Sequence, residues 1–165
     1  MYDRPQRDAD CSSKGDWKVM ENVSVQDIVR ATGGVLLSGN SDALLNKIRL
    51  DSRQVEAGDL FVPIIGEKVD AHRFLPQVAE NGAGAVLTSE QNAKTEEMEK
   101  TSCAWIAVDD TKKALQAVGR YLRKRLTLPI VGVTGSVGKT TTREMIAAAL
   151  SARYHVYKTL GNSNS

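Results

Sequence analysis

One stretch near the C-terminal end constrains this chain more than any other: Pro129-Ile130-Val131-Gly132-Val133-Thr134-Gly135-Ser136-Val137-Gly138-Lys139-Thr140-Thr141-Thr142. Ile130 to Val133 is apolar and β-branched, which reads as a buried strand. Glycines stand at Gly132, Gly135 and Gly138, and Lys139 and Thr140 come directly after. Thr141 to Ala152 is rich in Ala, Met, Ile and Leu and reads as a helix. Strand, glycine loop, Lys-Thr and helix, in that order, form the layout of a phosphate-binding loop.

Each part of that layout has a physical reason. Glycine lets the backbone turn tightly and bring its N–H groups up to a phosphate. The helix that follows directs its positive end, roughly half an elementary charge, at the same place. Lys139 reaches toward β- and γ-phosphates, and the Thr140 hydroxyl is placed to ligate Mg²⁺. The general pattern has Gly five residues before its second glycine, and that position is Val133 here. The match is to a variant with Gly135 inside the loop. The bland alternative is a glycine-rich turn with no ligand.

The rest of the chain reads as α/β. Ser24 caps a helix carrying Val25, Ile28 and Val29 on one face, and Gly33-Gly34 stops it. Strands are expected at Val35–Leu37, Asn46–Leu50, Leu60–Ile65 (with Pro63 leaving one side unpaired), Ala85–Thr88 and Ala104–Val108. A helix over about 73–81 ends at Gly82 to Gly84, and Gln91 to Thr101 is a charged helix or loop. Asp109-Asp110-Thr111 caps a long amphipathic helix to Arg125, with Ala114, Leu115, Val118, Tyr121 and Leu122 inward. One more strand is expected at Tyr154–Tyr157. Residues 1–22 are polar and charged and read as a flexible tail. This gives a small mixed-sheet domain over 23–126, then over 127–165 the first strand–loop–helix–strand unit of a parallel-sheet ATPase domain, truncated.

Composition excludes several classes. A net charge of +2 is too balanced to argue for nucleic-acid binding. No apolar run approaches the roughly 18 residues of a membrane span, and the N-terminal stretch is no signal peptide. Cys11 and Cys103 show neither metal-ligand spacing nor a disulfide framework, which fits a reduced, cytoplasmic protein. Cys103 beside its strand reads as a core residue.

Three upstream segments, Asp51-Ser52-Arg53, Gly58-Asp59-Leu60-Phe61-Val62 and Asp70-Ala71-His72-Arg73-Phe74, resemble the first domain of the Mur ligases. These are ATP-dependent enzymes that extend the peptide of the bacterial cell-wall precursor. The loop Thr134–Thr141 resembles that family's variant, with Val137 where many members carry Asn and Ala71 where many carry Gly. Val108–Thr111, Thr142–Ile146 and Thr159–Asn164 are similar to the branch that adds D-Ala-D-Ala, with the diaminopimelate- or lysine-adding branch as the alternative.

The resemblance implies ATP and Mg²⁺ as cofactors, and UDP-N-acetylmuramoyl-tripeptide and D-Ala-D-Ala as partners of a monomer. It implies that Thr134, Gly135, Ser136, Val137, Gly138, Lys139, Thr140 and Thr141 hold ATP. Lys139 and Thr140 would be catalytic, Thr140 also binding the metal. Asp51, Ser52, Arg53, Asp70 and His72 would line the UDP-sugar site, and Asn162 and Asn164 would face the sugar–peptide part. The residues taken alone leave other readings open. Asp51 and Arg53 could form a surface ion pair, His72 could belong to its helix start, and Asn162 and Asn164 could be turn residues. As a whole the chain could be a stand-alone sugar-nucleotide-binding module. A regulatory GTPase is disfavoured, since no guanine-reading Asn-Lys-x-Asp pattern is present. The family's remaining metal ligands, adenine-binding residues and C-terminal domain are expected beyond Ser165, so no ligase turnover is expected of this chain by itself.

Overall fold

The computed structural model describes residues 20–66, 70–89, 98 and 100–159. The chain divides into two compact units, Met1–Leu126 and Thr127–Ser165.

The first unit is built on a five-stranded sheet. A two-residue strand β1 (Val23–Ser24) leads into helix α1 (Val25–Thr32), and strand β2 (Val35–Ser38) follows. Strand β3 (Leu44–Leu45) pairs antiparallel with β1. Then come β4 (Ile48–Arg49), β5 (Leu60–Phe61), helix α2 (Leu75–Glu80), β6 (Ala85–Thr88), β7 (Ala104–Ala107) and helix α3 (Thr111–Arg125). The main sheet runs β2-β7-β6-β5-β4, parallel from β4 to β7, with β2 antiparallel at the edge.

The sequence of the central strands dictates this layering. Every residue of β5, β6 and β7 is buried, as befits parallel strands covered on both faces. Alternation then splits the side chains. Leu60, Ala85, Leu87, Ala104 and Ile106 pack with Ile28 of α1 and with Ala114, Val118 and Leu122 of α3. Phe61, Val86 and Trp105 pack with Leu75, Val78 and Ala79 of α2. Burying each large side chain contributes roughly 1.5–3 kcal/mol before entropy is counted. Cys103 lies in the second cluster, and burial pushes its thiol up to about 12, so it is an inert core residue.

The helix ends follow their local chemistry. The Ser24 hydroxyl accepts from Asp27 N–H at 3.2 Å, and the Asp27 carboxylate accepts from Ser24 N–H at 3.0 Å, a reciprocal cap for α1. Asp110 accepts from Lys113 N–H at 2.9 Å and caps α3.

Several expectations need correction. The strand expected over Leu60–Ile65 ends at Phe61. Val62 N–H still bonds Arg49 O at 2.9 Å, but Pro63 has no N–H to continue the ladder. The expected tail overlaps folded chain: Met20 is 5% exposed in the core, and the Arg125 guanidinium donates to Glu21 O at 3.0 Å and Asn22 O at 3.4 Å. Residues 1–19 lie outside the described residues, as does most of the Gln91–Thr101 segment.

The second unit has helix α4 (Lys139–Ser151) as its one regular element among the described residues. Neither Ile130–Val133 nor Tyr154–Tyr157 forms a strand there, and Ile130, Val131, Tyr154 and Tyr157 are all more than half exposed. A strand needs a neighbour to take up its N–H and C=O groups, and among the described residues neither segment has a strand partner.

Close packing generates a stability prediction. Gly39 sits at φ +97°, and a Cβ there would lie 2.5 Å from Ala104 Cα. Both the backbone conformation and the contact disfavour a side chain, so Gly39→Ala should cost about 2–4 kcal/mol in urea unfolding of the first unit. A change under about 0.5 kcal/mol would show that the β2–β7 approach is looser than described.

Candidate functional site

In the second unit the loop and the start of the helix stand open to solvent. Gly138 is the N-cap of α4 at φ +78°, and no side chain caps the helix. No atom stands within 4 Å of where a Cβ would sit, so backbone conformation rather than space demands glycine. Thr134, Gly135, Ser136, Val137 and Gly138 are exposed, as are Thr140 and Thr141 in the first helical turn. Val137 is 88% exposed, so its side chain does not shape the loop. Lys139 Nζ donates to Gly135 O at 2.6 Å and so lies back across the loop. An entering phosphate would exchange for that carbonyl at the ammonium. The helix starts at Lys139, two residues earlier than its composition suggests, because Gly138 supplies the turn. Behind the loop, the Glu144 carboxylate receives Lys158 and Arg143, which hold it below the usual carboxylate range.

In the first unit the carboxyl ends of four parallel strands gather at one sheet edge, the place where open α/β sheets bind ligands. After β4, Asp51 caps a 3₁₀ turn, Ser52–Gln54, and accepts from Arg53 N–H at 3.1 Å. Arg53 also grips Asp51 with both arms of its guanidinium, at 2.9 and 2.7 Å. That grip holds the Asp51 carboxyl down to about 2. Arg53 itself is 85% exposed.

After β5, Asp70 caps a second 3₁₀ turn, Ala71–Phe74. Its Oδ1 accepts from His72 N–H at 3.0 Å and lies 2.6 Å from His72 Nδ1. The His72 backbone N–H, then its ring, hold the Asp70 carboxyl below the usual range. His72 lines a cleft of ≈ 270 Å³ with Ile64, Ile65, Ser89, Asp109, Asp110, Thr111 and Lys112. These residues follow β5, β6 and β7, so three strand ends converge on it.

The fold thus places His72 in the cleft wall with Asp70 paired to its ring, and it joins Asp51 to Arg53. Asp51, Ser52 and Arg53 lie at the same strand-end edge but are not among the cleft's lining residues. Asn162 and Asn164 lie outside the described residues. Sequence reasoning misses Ser89, Asp109, Asp110, Thr111 and Lys112 as cleft residues, reading Asp109 to Thr111 as a helix cap and as part of a family motif. The rule that parallel strands collect ligands at their carboxyl ends could have found them. No group of three or more His, Cys, Asp or Glu able to hold a metal occurs among the described residues.

Comparison with known proteins decides the family. Residues 45–122 match the Mur ligase family, catalytic domain, and residues 133–165 match the Mur ligase middle domain. The chain belongs to the Mur ligase family. It is 44% identical over 126 residues to the UDP-N-acetylmuramoyl-tripeptide--D-alanyl-D-alanine ligase of Synechocystis, covering 76% of this chain and 27% of that one. It is 37% identical over 143 residues to the Bacillus subtilis ligase of the same name, covering 86% of this chain and 30% of that one. A crystal structure of MurF from Acinetobacter baumannii matches with TM-score 0.65 at 33% identity, over 79% of this chain and 28% of that one. MurF from Thermotoga maritima, solved in complex with ADP, matches with TM-score 0.62 at 31% identity, over 72% and 26%. This Mur ligase chain therefore spans about a third or less of the length of the relatives it matches.

The Asp51–Arg53 clamp is directly testable. Carboxyl NMR should give Asp51 a midpoint near 2, rising toward the ordinary 3.8 in Arg53→Ala. An unmoved midpoint would mean that the guanidinium does not hold the carboxylate.

Proposed function

We propose that this chain forms part of a cytoplasmic ATP- and Mg²⁺-dependent ligase that joins D-Ala-D-Ala to UDP-N-acetylmuramoyl-tripeptide. Residues 23–126 form the lobe that holds the sugar nucleotide, and residues 127–165 hold the terminal phosphates of ATP. The observation that carries this reading is the open, glycine-capped start of α4 directly after Thr134–Val137, in a chain whose relatives are named for that reaction.

The chain's own residues do three things in this scheme. Backbone N–H groups of Gly135 to Thr141 cup the β- and γ-phosphates, where the helix end adds its positive potential. Lys139 leaves Gly135 O and follows the charge of the transferred phosphoryl group. Thr140 would hold Mg²⁺ through its hydroxyl, and the ion would offset phosphate charge there. The tripeptide carboxylate would take the γ-phosphoryl group of ATP with release of ADP, and the dipeptide amine would attack the resulting acyl phosphate, losing a proton and expelling phosphate as the amide forms. Asp51, Ser52, Arg53, Asp70 and His72 hold the sugar nucleotide, and Asn162 and Asn164 face its sugar–peptide part. Among the described residues, no helix is long and apolar enough to cross a membrane.

A second reading keeps the chemistry and changes the amine. The chain is also 33% identical over 138 residues to a diaminopimelate-adding ligase of Bacteroides fragilis. Assay of a polypeptide that continues this chain, with D-Ala-D-Ala or diaminopimelate and the matching UDP-linked acceptor, separates the two. In the same assay Lys139→Ala should lower turnover about 10²–10³-fold, the scale for losing one preorganised charge-stabilising donor. Unchanged ATP consumption in Lys139→Ala would contradict the assignment. Calorimetry on the chain itself should show binding of both UDP-N-acetylmuramoyl-tripeptide and ATP. Binding of the sugar nucleotide without ATP would favour a stand-alone binding module.

A further inference from the structure

Helix α4 ends in a turn that sends the chain back along its own side. The backbone N–H groups of Arg153 and Tyr154 both donate to Leu150 O, at 3.0 and 2.9 Å. From Leu150 back to Glu144 the helix covers roughly 9 Å. The steps from Tyr154 to Lys158 span up to roughly 13 Å when extended, enough for Lys158 to reach the second helical turn. It does reach it: the Lys158 ammonium donates to Glu144 Oε2, and the Arg143 guanidinium donates to Glu144 Oε1 at 3.1 Å. The other arm of Arg143 donates to the Thr159 hydroxyl at 3.4 Å.

Glu144 is the hub of this arrangement. Each of its carboxylate oxygens serves one cation, so Arg143 and Lys158 sit together with that carboxylate between them. Without its charge, two like charges would face each other and push the returning chain off the helix. Lys158 stands 14 residues from Glu144 in sequence, so the contact is no local pair of the helix surface. Side chains of an α-helix lean toward its N-terminus. Arg143 and Glu144 therefore draw Lys158 and Thr159 toward the end of α4 that carries Gly138 and Lys139. The Arg143 side chain is 22% exposed, so its hold is less screened than that of an open surface pair.

We propose that Glu144, bridged to Arg143 and Lys158, is a positioning residue for the ligase reaction: it docks the Lys158–Thr159 segment on the N-terminal turns of α4 and so sets where the chain that follows meets the acceptor. This rests on the reading of the chain as part of a ligase acting on a UDP-linked peptide. Asn162 and Asn164, given to the sugar–peptide part in that reading, come directly after this segment in sequence. Glu144 touches neither nucleotide nor acceptor in this scheme and acts through Lys158 and Arg143. The phosphate-binding loop keeps its own tether from Lys139 to Gly135 O and does not depend on the dock.

The test is steady-state kinetics of a polypeptide that continues this chain, with UDP-N-acetylmuramoyl-tripeptide and ATP varied separately. Glu144→Gln should raise KM for the tripeptide about 5-fold, the scale of a small exposed charge network, while KM for ATP stays within about twofold of the parent. Lys158→Met should reproduce that split, since it frees the same segment and leaves Arg143 on Glu144. Glu144→Lys combined with Lys158→Glu reverses the pair and should recover most of the loss, which a role confined to packing would not allow. Amide NMR of the chain itself gives a second readout: Glu144→Gln should shift Lys158 and Thr159 and leave Gly135 to Lys139 unmoved. A tripeptide KM unchanged in Glu144→Gln, a KM for ATP that rises with it, or no recovery in the reversed pair overturns the proposal while leaving the ligase reading intact. Absence of turnover in the unaltered polypeptide overturns the ligase reading itself.

Discussion

The first unit depends on the parallel pairing of β4, β5, β6 and β7. Parallel strands buried on both faces require helical cover above and below. Leu87 and Ile106 look to α1 and α3, and Val86 and Trp105 look to α2. The same pairing sends every strand's carboxyl end to one edge. Asp51–Arg53, Asp70–His72, Ser89 and Asp109–Lys112 are far apart in sequence, and they share an edge only because the strands before them run in step.

The second unit works on a different principle. It has little core of its own among the described residues, with Ala147 as its buried apolar side chain. A glycine at positive φ opens a 13-residue helix, and the loop ahead of it is exposed. Lys139 occupies itself with Gly135 O and gives the glycine-containing loop an internal tether. The first unit thus gathers polar side chains at its strand ends, and the second presents an exposed loop and helix start.

Much of this architecture is legible in the amino-acid sequence. Ala85–Thr88 and Ala104–Ala107 are short apolar runs bounded by turn residues, and both are strands. Ser24 with Asp27, and Asp110 with Thr111, announce their helix starts through capping chemistry. The misreadings have physical causes. Ile130–Val133 and Tyr154–Tyr157 have strand composition, but composition does not supply a hydrogen-bonding neighbour. Met20 sits in a polar stretch, and its burial depends on a core assembled from distant residues. Local pattern explains Asp109 and Asp110 as caps, and only the sheet's order reveals that they also line the cleft with His72. Family resemblance carries further than periodicity here, because glycine spacing and Lys-Thr order survive in sequence while cleft geometry does not.

The central claim is that one chain carries a nucleotide-phosphate cradle and a separate sugar-nucleotide lobe. Backbone amide NMR of the whole chain, titrated with Mg²⁺-ATP and then with UDP-N-acetylmuramoyl-tripeptide, tests it most directly. The account predicts that ATP shifts the amides of Gly135 to Thr141, and that the sugar nucleotide shifts those around Ser52, His72 and Ser89. ATP shifts confined to the first unit, or loop amides unmoved at saturating ATP, would contradict it.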